Sequence, residues 1–211
     1  MRALVLKMSA SIDGFVASAD GGAKWIFDTY DDEAAAWTVR MVWDASLHVM
    51  GSRTFRDMAA YWPTSTDVFA PPMNQIPKAV FSRRGTAVLH ATDTTAALTD
   101  ARANAGPNPS AKLQPGGDSW GRAYIASGDL AEEIRKLKTQ EGKPIVAHGG
   151  AGFARSLVAL GLVDQYVLLV HPVALGNGLA LFSSLSMPRT FRLVSSTAFP
   201  KGATAQIYRP A

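Results

Sequence analysis

The chain has 211 residues, a formal net charge of +4 and no cysteine. That length can bury a sizeable core, and the missing cysteines exclude disulfides, thiolate metal sites and a cysteine nucleophile. Lysines and arginines are scattered without a run, which argues against a nucleic-acid surface, whereas an anionic cofactor accounts for the basic bias. No apolar stretch is long enough to span a bilayer. Residues 4–6 are too short for a signal core and Lys7 interrupts them, so the expected compartment is the cytoplasm.

Residues 3–10 read as a buried first strand, ended by the turn residues Asp13-Gly14. A polar loop is expected to about residue 29. Asp31, Asp32 and Glu33 then favour a helix start, with Ala34, Trp37 and Met41 marking its apolar face. Residues 46–50 form a second strand, and Gly51-Ser52-Arg53-Thr54 leads into a helix that Pro63 stops. A Pro- and Thr-rich loop is expected over 64–77, a third strand over 78–82 and a short fourth over 87–90. Residues 104–122 have loop composition and read as an insertion, with Trp120 as its anchor.

A short strand at 124–126 precedes a helix opened by Asp129 and Glu132, whose apolar face is Leu130, Ile134 and Leu137. Ile145, Val146 and Ala147 form the next strand. The turn His148-Gly149-Gly150-Ala151-Gly152 follows, and then a helix carrying Ala154, Leu157 and Val158 that ends at Gly161. After a strand over 165–170 and a glycine-punctuated loop over 172–182, two strands near 191–197 and 204–208 are close enough to form an antiparallel hairpin. Helices alternating with short apolar strands predict a mainly parallel, helix-covered sheet in a single domain, with the last pair antiparallel.

Two places combine strand, small-residue turn and helix start. At the first helical N–H groups of such a unit a phosphate fits, and glycines let the backbone approach it. Gly150 and Gly152 supply two glycines of the dinucleotide fingerprint, Arg155 stands in place of the third, and no acid closes the next strand, since Asp164 opens it. Taken alone, this turn reads equally well as a tight structural connection. The second unit, Gly51-Ser52-Arg53-Thr54, offers a guanidinium and a hydroxyl, although Arg53 by itself is the kind of residue found as a solvated surface charge. Ser82 and Arg83 end a third strand with a hydroxyl and a cation. All these groups, with residues 11–15, lie at carboxyl ends of strands, where open α/β sheets bind ligands.

The segments Ser9-Ala10-Ser11-Ile12-Asp13-Gly14-Phe15, Lys24-Trp25-Ile26, Met50-Gly51-Ser52-Arg53-Thr54-Phe55, Val80-Phe81-Ser82-Arg83, Gly149-Gly150-Ala151-Gly152 and Ala174-Leu175-Gly176-Asn177-Gly178 occur in one order. In that order the chain resembles the dihydrofolate reductase-like family, in the branch of the C-terminal reductase domain of the riboflavin-biosynthesis deaminase/reductase. The resemblance implies a three-layer α/β/α fold, NADPH as hydride donor, a small-molecule substrate and a homodimer. It implies that Gly149, Gly150, Ala151, Gly152 and Phe153 take the pyrophosphate and nicotinamide side. Gly51, Ser52, Arg53, Thr54, Ser82 and Arg83 take the adenosine end, and Ala10, Ile12, Asp13 and Gly14 flank the nicotinamide. Residues 15–25 correspond to a mobile loop over the cofactor. The tryptophans are mostly expected in or beside the core, with Trp25, in the loop, a candidate to line the substrate cleft.

Two departures bear on the substrate. Folate-reducing members place a carboxylate on the first helix. Here Asp32 and its acidic neighbours come about one turn early, and a charged helix start describes them better than a catalytic role does. An acid commonly precedes the paired glycines in the riboflavin-pathway domain, and here His148 stands there. It could donate or relay a proton near neutral pH, or be a strand-end histidine bonded to backbone. The missing carboxylates leave open a nucleotide-binding protein without turnover. No metal-ligand spacing is present, and His48, His90 and His171 read as structural.

Overall fold

The structure, a computed structural model, describes residues 1–90, 94–105 and 112–211. Eight strands form one sheet: β1 (Leu4–Ser11), β2 (Leu47–Gly51), β3 (Lys78–Phe81), β4 (Tyr124–Ala126), β5 (Ile145–Ala147), β6 (Gln165–His171), β7 (Phe191–Ala198) and β8 (Thr204–Pro210). Their order is β4-β3-β2-β5-β1-β6-β8-β7. The first six run parallel, while β8 is antiparallel to both β6 and β7. The expected mainly parallel sheet with a closing antiparallel hairpin is what forms.

Helices α2 (Asp32–Trp43), α3 (Ser52–Ala59) and α4 (Ala70–Gln75) lie on one face. On the other lie α6 (Leu130–Thr139) and α7 (Ala151–Ala159). The reason is the handedness of parallel connections. From β1 to β4 the chain steps one way across the sheet; from β4 it reverses, enters between β2 and β1 as β5, and passes β1 to reach β6. Right-handed crossovers therefore change face at the reversal. β5 is the pivot, and its turn opens between the ends of β2 and β1.

Local chemistry explains the helix limits. The Asp31 carboxylate accepts the Ala34 N–H at 2.9 Å and caps α2, and Asp129 accepts from Ala131 and Glu132 to cap α6. α7 ends in a Schellman motif, with Gly161 at φ +66° and the Leu162 N–H donating to the Leu157 carbonyl. Ile134, Ile145 and Leu157 are wholly inaccessible between α6, α7 and the sheet, and each such burial contributes about 1.5–3 kcal/mol.

Several loop expectations are corrected. Residues 24–28 form a short helix, α1 (Lys24–Asp28), and the Pro-rich stretch contains α4, which starts on two prolines that its first turn tolerates. The strand expected at 87–90 is a 3₁₀ segment, Gly85–His90, that turns Val88 inward against Met50, Phe55 and Trp120. A helix not foreseen, α5 (Ala96–Asn104), follows it. Of the insertion, residues 106–111 lie outside the described residues, but 117–122 form a 3₁₀ turn with Trp120 buried as an anchor. The Trp120 indole donates to Asn74 Oδ1 at 2.8 Å, and Lys78 Nζ donates to the Asn74 carbonyl while lying 4.8 Å over the indole. Among the described residues no helix is long and apolar enough to cross a membrane.

Candidate functional site

The two glycine junctions meet. β2 and β5 are adjacent, so Gly51 and the turn after Ala147 leave the sheet side by side. The Gly51 N–H donates to the Gly149 carbonyl at 3.3 Å, and the His148 N–H to the Val49 carbonyl at 3.0 Å. The Thr54 hydroxyl accepts the Gly150 N–H, so the first turn of α3 holds the start of α7. A Cβ on Gly51 would lie 3.0 Å from that of Phe153, and one on Gly150 2.9 Å from Thr54 Oγ1. Gly149 adopts φ +79°, and the Gly149–Gly150 peptide is cis.

Neither α3 nor α7 has a side-chain cap. Their first-turn N–H groups and dipoles therefore face a common rim, the arrangement that receives phosphate. A side chain on Gly152 would meet nothing within 4 Å, so the rim is open there. Phe153 packs against Phe81 with ring centroids 5.1 Å apart and planes tilted by 36°, extending the rim to the end of β3. Ser82 is buried with its N–H bonded to the Ala126 carbonyl, whereas Arg53 and Arg83 are exposed, and Ser52 and Thr54 are half-buried. A pyrophosphate-bearing nucleotide fits these residues: uncapped N–H groups at the centre, and hydroxyls and guanidinium groups to one side.

On the other side of β5, Ala10 is buried, while Ile12, Asp13 and Gly14 turn out into solvent. Asp13 accepts from the Ser11 hydroxyl and from the N–H groups of Gly176 (2.7 Å) and Leu175 (3.2 Å). These donors, Ser11 first, hold its carboxyl below the usual range. Its visible work is to clasp the loop after β6. Val16 N–H to Leu179 O and Leu179 N–H to Ala17 O continue that clasp, so the start of the segment expected to be mobile is paired. Arg155, in the third glycine's place, donates to the Ala180 carbonyl at 2.7 Å and ties α7 to the same loop. Asp164 accepts the Leu4 N–H and pairs with Lys138, which accounts for its place at a strand start.

A second group of side chains lies over the strands on the α2 face. His48 and Lys78 are register partners on β2 and β3. The rings of His48 and His148 meet edge to face at 4.6 Å. One step beyond the Leu6–Ala147 pair, Lys7 stands beside His148. Four bases thus cross four neighbouring strands. Burial pushes the pKa of Lys7 down to about 8; it lowers Lys78 to about 7 and, with Lys78 nearby, His48 to about 3. His148 falls well below its ordinary value through burial, then through His48 and Lys7. At neutral pH its ring is uncharged, a hydrogen-bonding group and not the reservoir of an acidic proton. Its Nε2 has no partner, and the Val42 carbonyl lies close enough to His48 to favour its charged form without completing a hydrogen bond.

Trp25 is buried against the edge of His171, with ring centroids 5.4 Å apart. His171 is inaccessible, shares a 2.7 Å hydrogen bond between Nδ1 and the Thr29 hydroxyl, and is stacked by Tyr30. Asp32 is not drawn into this group. It stands exposed in the first turn of α2, where its charge suits the helix dipole. Sequence reasoning singled out His148 but missed Lys7, Lys78 and the row they form with His48. The available signal was a lysine within an otherwise apolar central strand, a position where an unpaired charge is costly.

Comparison with known proteins gives one family: residues 2–205 match the model of the RibD C-terminal domain. The Bacillus subtilis (strain 168) protein YyaP, itself uncharacterised, is 34% identical over 87 residues, which are 41% of this chain and 46% of that protein. A protein from Shewanella sp. PV-4, assigned by its name to riboflavin biosynthesis, superposes with a TM-score of 0.68 at 18% identity, covering 100% of this chain and 99% of that one. The Thermotoga maritima diaminohydroxyphosphoribosylaminopyrimidine deaminase/5-amino-6-(5-phosphoribosylamino)uracil reductase gives 0.65 at 17% identity, covering 100% of this chain and 57% of that one. The likeness to these structures is one of fold. The chain spans little more than half of the Thermotoga protein and under half of YyaP.

Proposed function

The chain belongs to the family of the RibD C-terminal domain, and from that premise we propose that it is a reductase using NADPH on a C=N or C=O bond of a small heterocycle. The substrate class is pterin-like or like the phosphorylated aminouracil named for the Thermotoga relative. The observation that carries the reading is the convergence of two uncapped helix starts, at Gly51 and Gly150, on one rim between adjacent strands. NADPH supplies a hydride when bound. The chain's own residues orient and enclose: Gly149, Gly150, Ala151, Gly152 and Phe153 receive the pyrophosphate, and Arg53, Thr54, Ser82 and Arg83 hold the adenosine end. Lys7 and His148 present N–H groups to the substrate from the neighbouring strands.

Titration of the intact protein with NADPH, followed by quenching of tryptophan fluorescence, tests this. Binding in the micromolar range is expected, and Arg53→Ala should lose about tenfold for NADPH but little for NADH, as a guanidinium on a phosphate implies. Silence at millimolar NADPH sinks the proposal. A second reading, nucleotide binding without turnover, is favoured by Asp32 lying exposed and His148 being neutral. NADPH bound but never oxidised in the presence of dihydrofolate, the aminopyrimidine phosphate, or a carbonyl and imine panel would select it.

We also propose a homodimer. On the α7 face, Leu168, Phe182, Phe191 and Tyr208 surround a hollow of about 240 Å³, and the edge strand β7 exposes Leu193 and Val194. Sedimentation of wild type and Leu193→Asp checks it, the variant being expected to sediment as a monomer.

A further inference from the structure

Helix α5 contributes little to the core. Of its nine residues only Leu98 is buried, and its main neighbours are α3 and α1. At its start the Thr95 hydroxyl accepts the Leu98 N–H at 3.2 Å, and the same side chain meets the Asp57 carboxyl of α3, one turn past Arg53. Further along, the Asp100 carboxylate accepts the Ala23 N–H at 2.8 Å. Ala23 precedes α1 and has no side-chain acceptor of its own to cap it. An acid 77 residues away in sequence supplies that cap, with its charge at the positive end of the helix. Gly22 makes the approach possible, since a Cβ there would lie 3.0 Å from Asp100 Oδ2 and 3.1 Å from Asp20 Oδ1.

The same segment is tied on its other flank. The Val16 N–H donates to the Leu179 carbonyl and the Leu179 N–H to the Ala17 carbonyl, in the loop after β6, while Trp25 packs on His171 at the end of β6. In the sheet β6 and β2 lie on opposite sides of the β1–β5 pair, and α3 follows β2. Residues 15–28 are held to β6 on one flank and, through α5, to α3 on the other. They therefore cross the carboxyl ends of β1 and β5, where the Gly149–Gly150 turn opens. Backbone pairing and a buried ring secure the β6 flank; on the α3 flank the tie is the Asp100 carboxylate.

We propose that Asp100 is a positioning residue: it holds residues 15–28 across the mouth of the rim and slows the exit of what is bound there. It acts through the segment it pins and touches neither nucleotide nor substrate. Helix α5 is then the strut that carries this tie from α3, the helix bearing Arg53 and Thr54, to α1. The inference deepens the reductase reading and rests on it only in taking the rim as the nucleotide's place.

Two measurements on the full chain test this: hydrogen exchange of the free protein, and stopped-flow release of NADPH followed by tryptophan fluorescence. In Asp100→Ala, exchange should rise about tenfold in residues 15–28 and stay at the wild-type level in β1, β5 and α7, the mark of a local opening. NADPH should leave about tenfold faster, with its association rate changed by less than about twofold, as loss of a charge-assisted hydrogen bond on a covering segment implies. Asp100→Asn keeps an acceptor oxygen and should restore most of the slow release. Gly22→Ala pushes on the same tie from the other side without altering α5, and should reproduce Asp100→Ala. Unchanged exchange in 15–28, a rise spread over the whole chain in both Asp100→Ala and Gly22→Ala, or release as slow as in wild type would each overturn the proposal. Exchange raised only in 15–28 of a chain that never binds NADPH would remove the reductase reading and keep Asp100 as the anchor of this segment. NADPH bound by wild type and released at the same rate by both variants would do the reverse.

Discussion

Where β2 and β5 end, the groups presented are backbone N–H groups; over β1, β5, β2 and β3, on the α2 face of the sheet, they are side-chain bases. The first region is uncapped, open and lined by glycine. The second is closely surrounded and carries bases whose charge its surroundings oppose. The rim's geometry comes from hydrogen bonds between neighbouring turns, such as Gly150 N–H to Thr54, and any anion of suitable shape satisfies it. The row's character comes from one residue on each of four strands and is set by charge. On the function proposed above the rim would govern nucleotide binding, whereas the buried histidines of the row bear on the pH at which the protein stays folded.

The sharpest way to separate them is Gly150→Val. The rim has no room for a Cβ at 2.9 Å from the Thr54 hydroxyl, so NADPH affinity should drop by roughly 100-fold or more, near 3 kcal/mol. Circular dichroism should report an intact fold. Unaltered affinity would mean that this turn is only a connection.

Acid provides the next test, aimed at the buried histidines of the row and at His171. His48 and His171 titrate near 3 and 4 in the fold, against 6.5 when unfolded. The unfolded chain therefore binds more protons in that window, and stability falls as pH drops from about 6.5 toward 4, at about 1.4 kcal/mol per unit for each histidine. His148 is lowered as well, so chemical denaturation across this range should show the summed slope, and His48→Leu should remove about a third of it. A stability that is flat down to pH 5 would contradict the burial of these rings.

The smallest effect is expected at Asp32→Asn. Loss of one exposed charge beside a helix start should cost about 0.3–1 kcal/mol, measurable by denaturant melts at low salt. Once a substrate is found, turnover should not change. A large fall in rate would return Asp32 to the chemistry.

The rim was legible because its information is local. Gly149-Gly150-Ala151-Gly152 and Gly51-Ser52-Arg53-Thr54 each announce a turn and a helix start within a few residues, and the caps Asp31 and Asp129 did the same for α2 and α6. The segment at 87–90 misled, because Val88 and Leu89 suit a strand as well as a 3₁₀ turn, and contact with Trp120, Phe55 and Met50 decided between them. Of the row only His148 was singled out; its assembly was illegible because His48, Lys78, His148 and Lys7 are far apart in sequence and none has a ligand's spacing.

The sequence by itself determined the alternation of strands and helices, the closing hairpin and the two glycine junctions, since periodicity, capping and turn chemistry act over a handful of residues. Only the tertiary structure decided that β5 enters between β2 and β1. That insertion brings the junctions to one rim and sets His148 beside Lys7. It depends on long-range strand pairing and on the handedness of crossovers, which no short stretch of residues encodes.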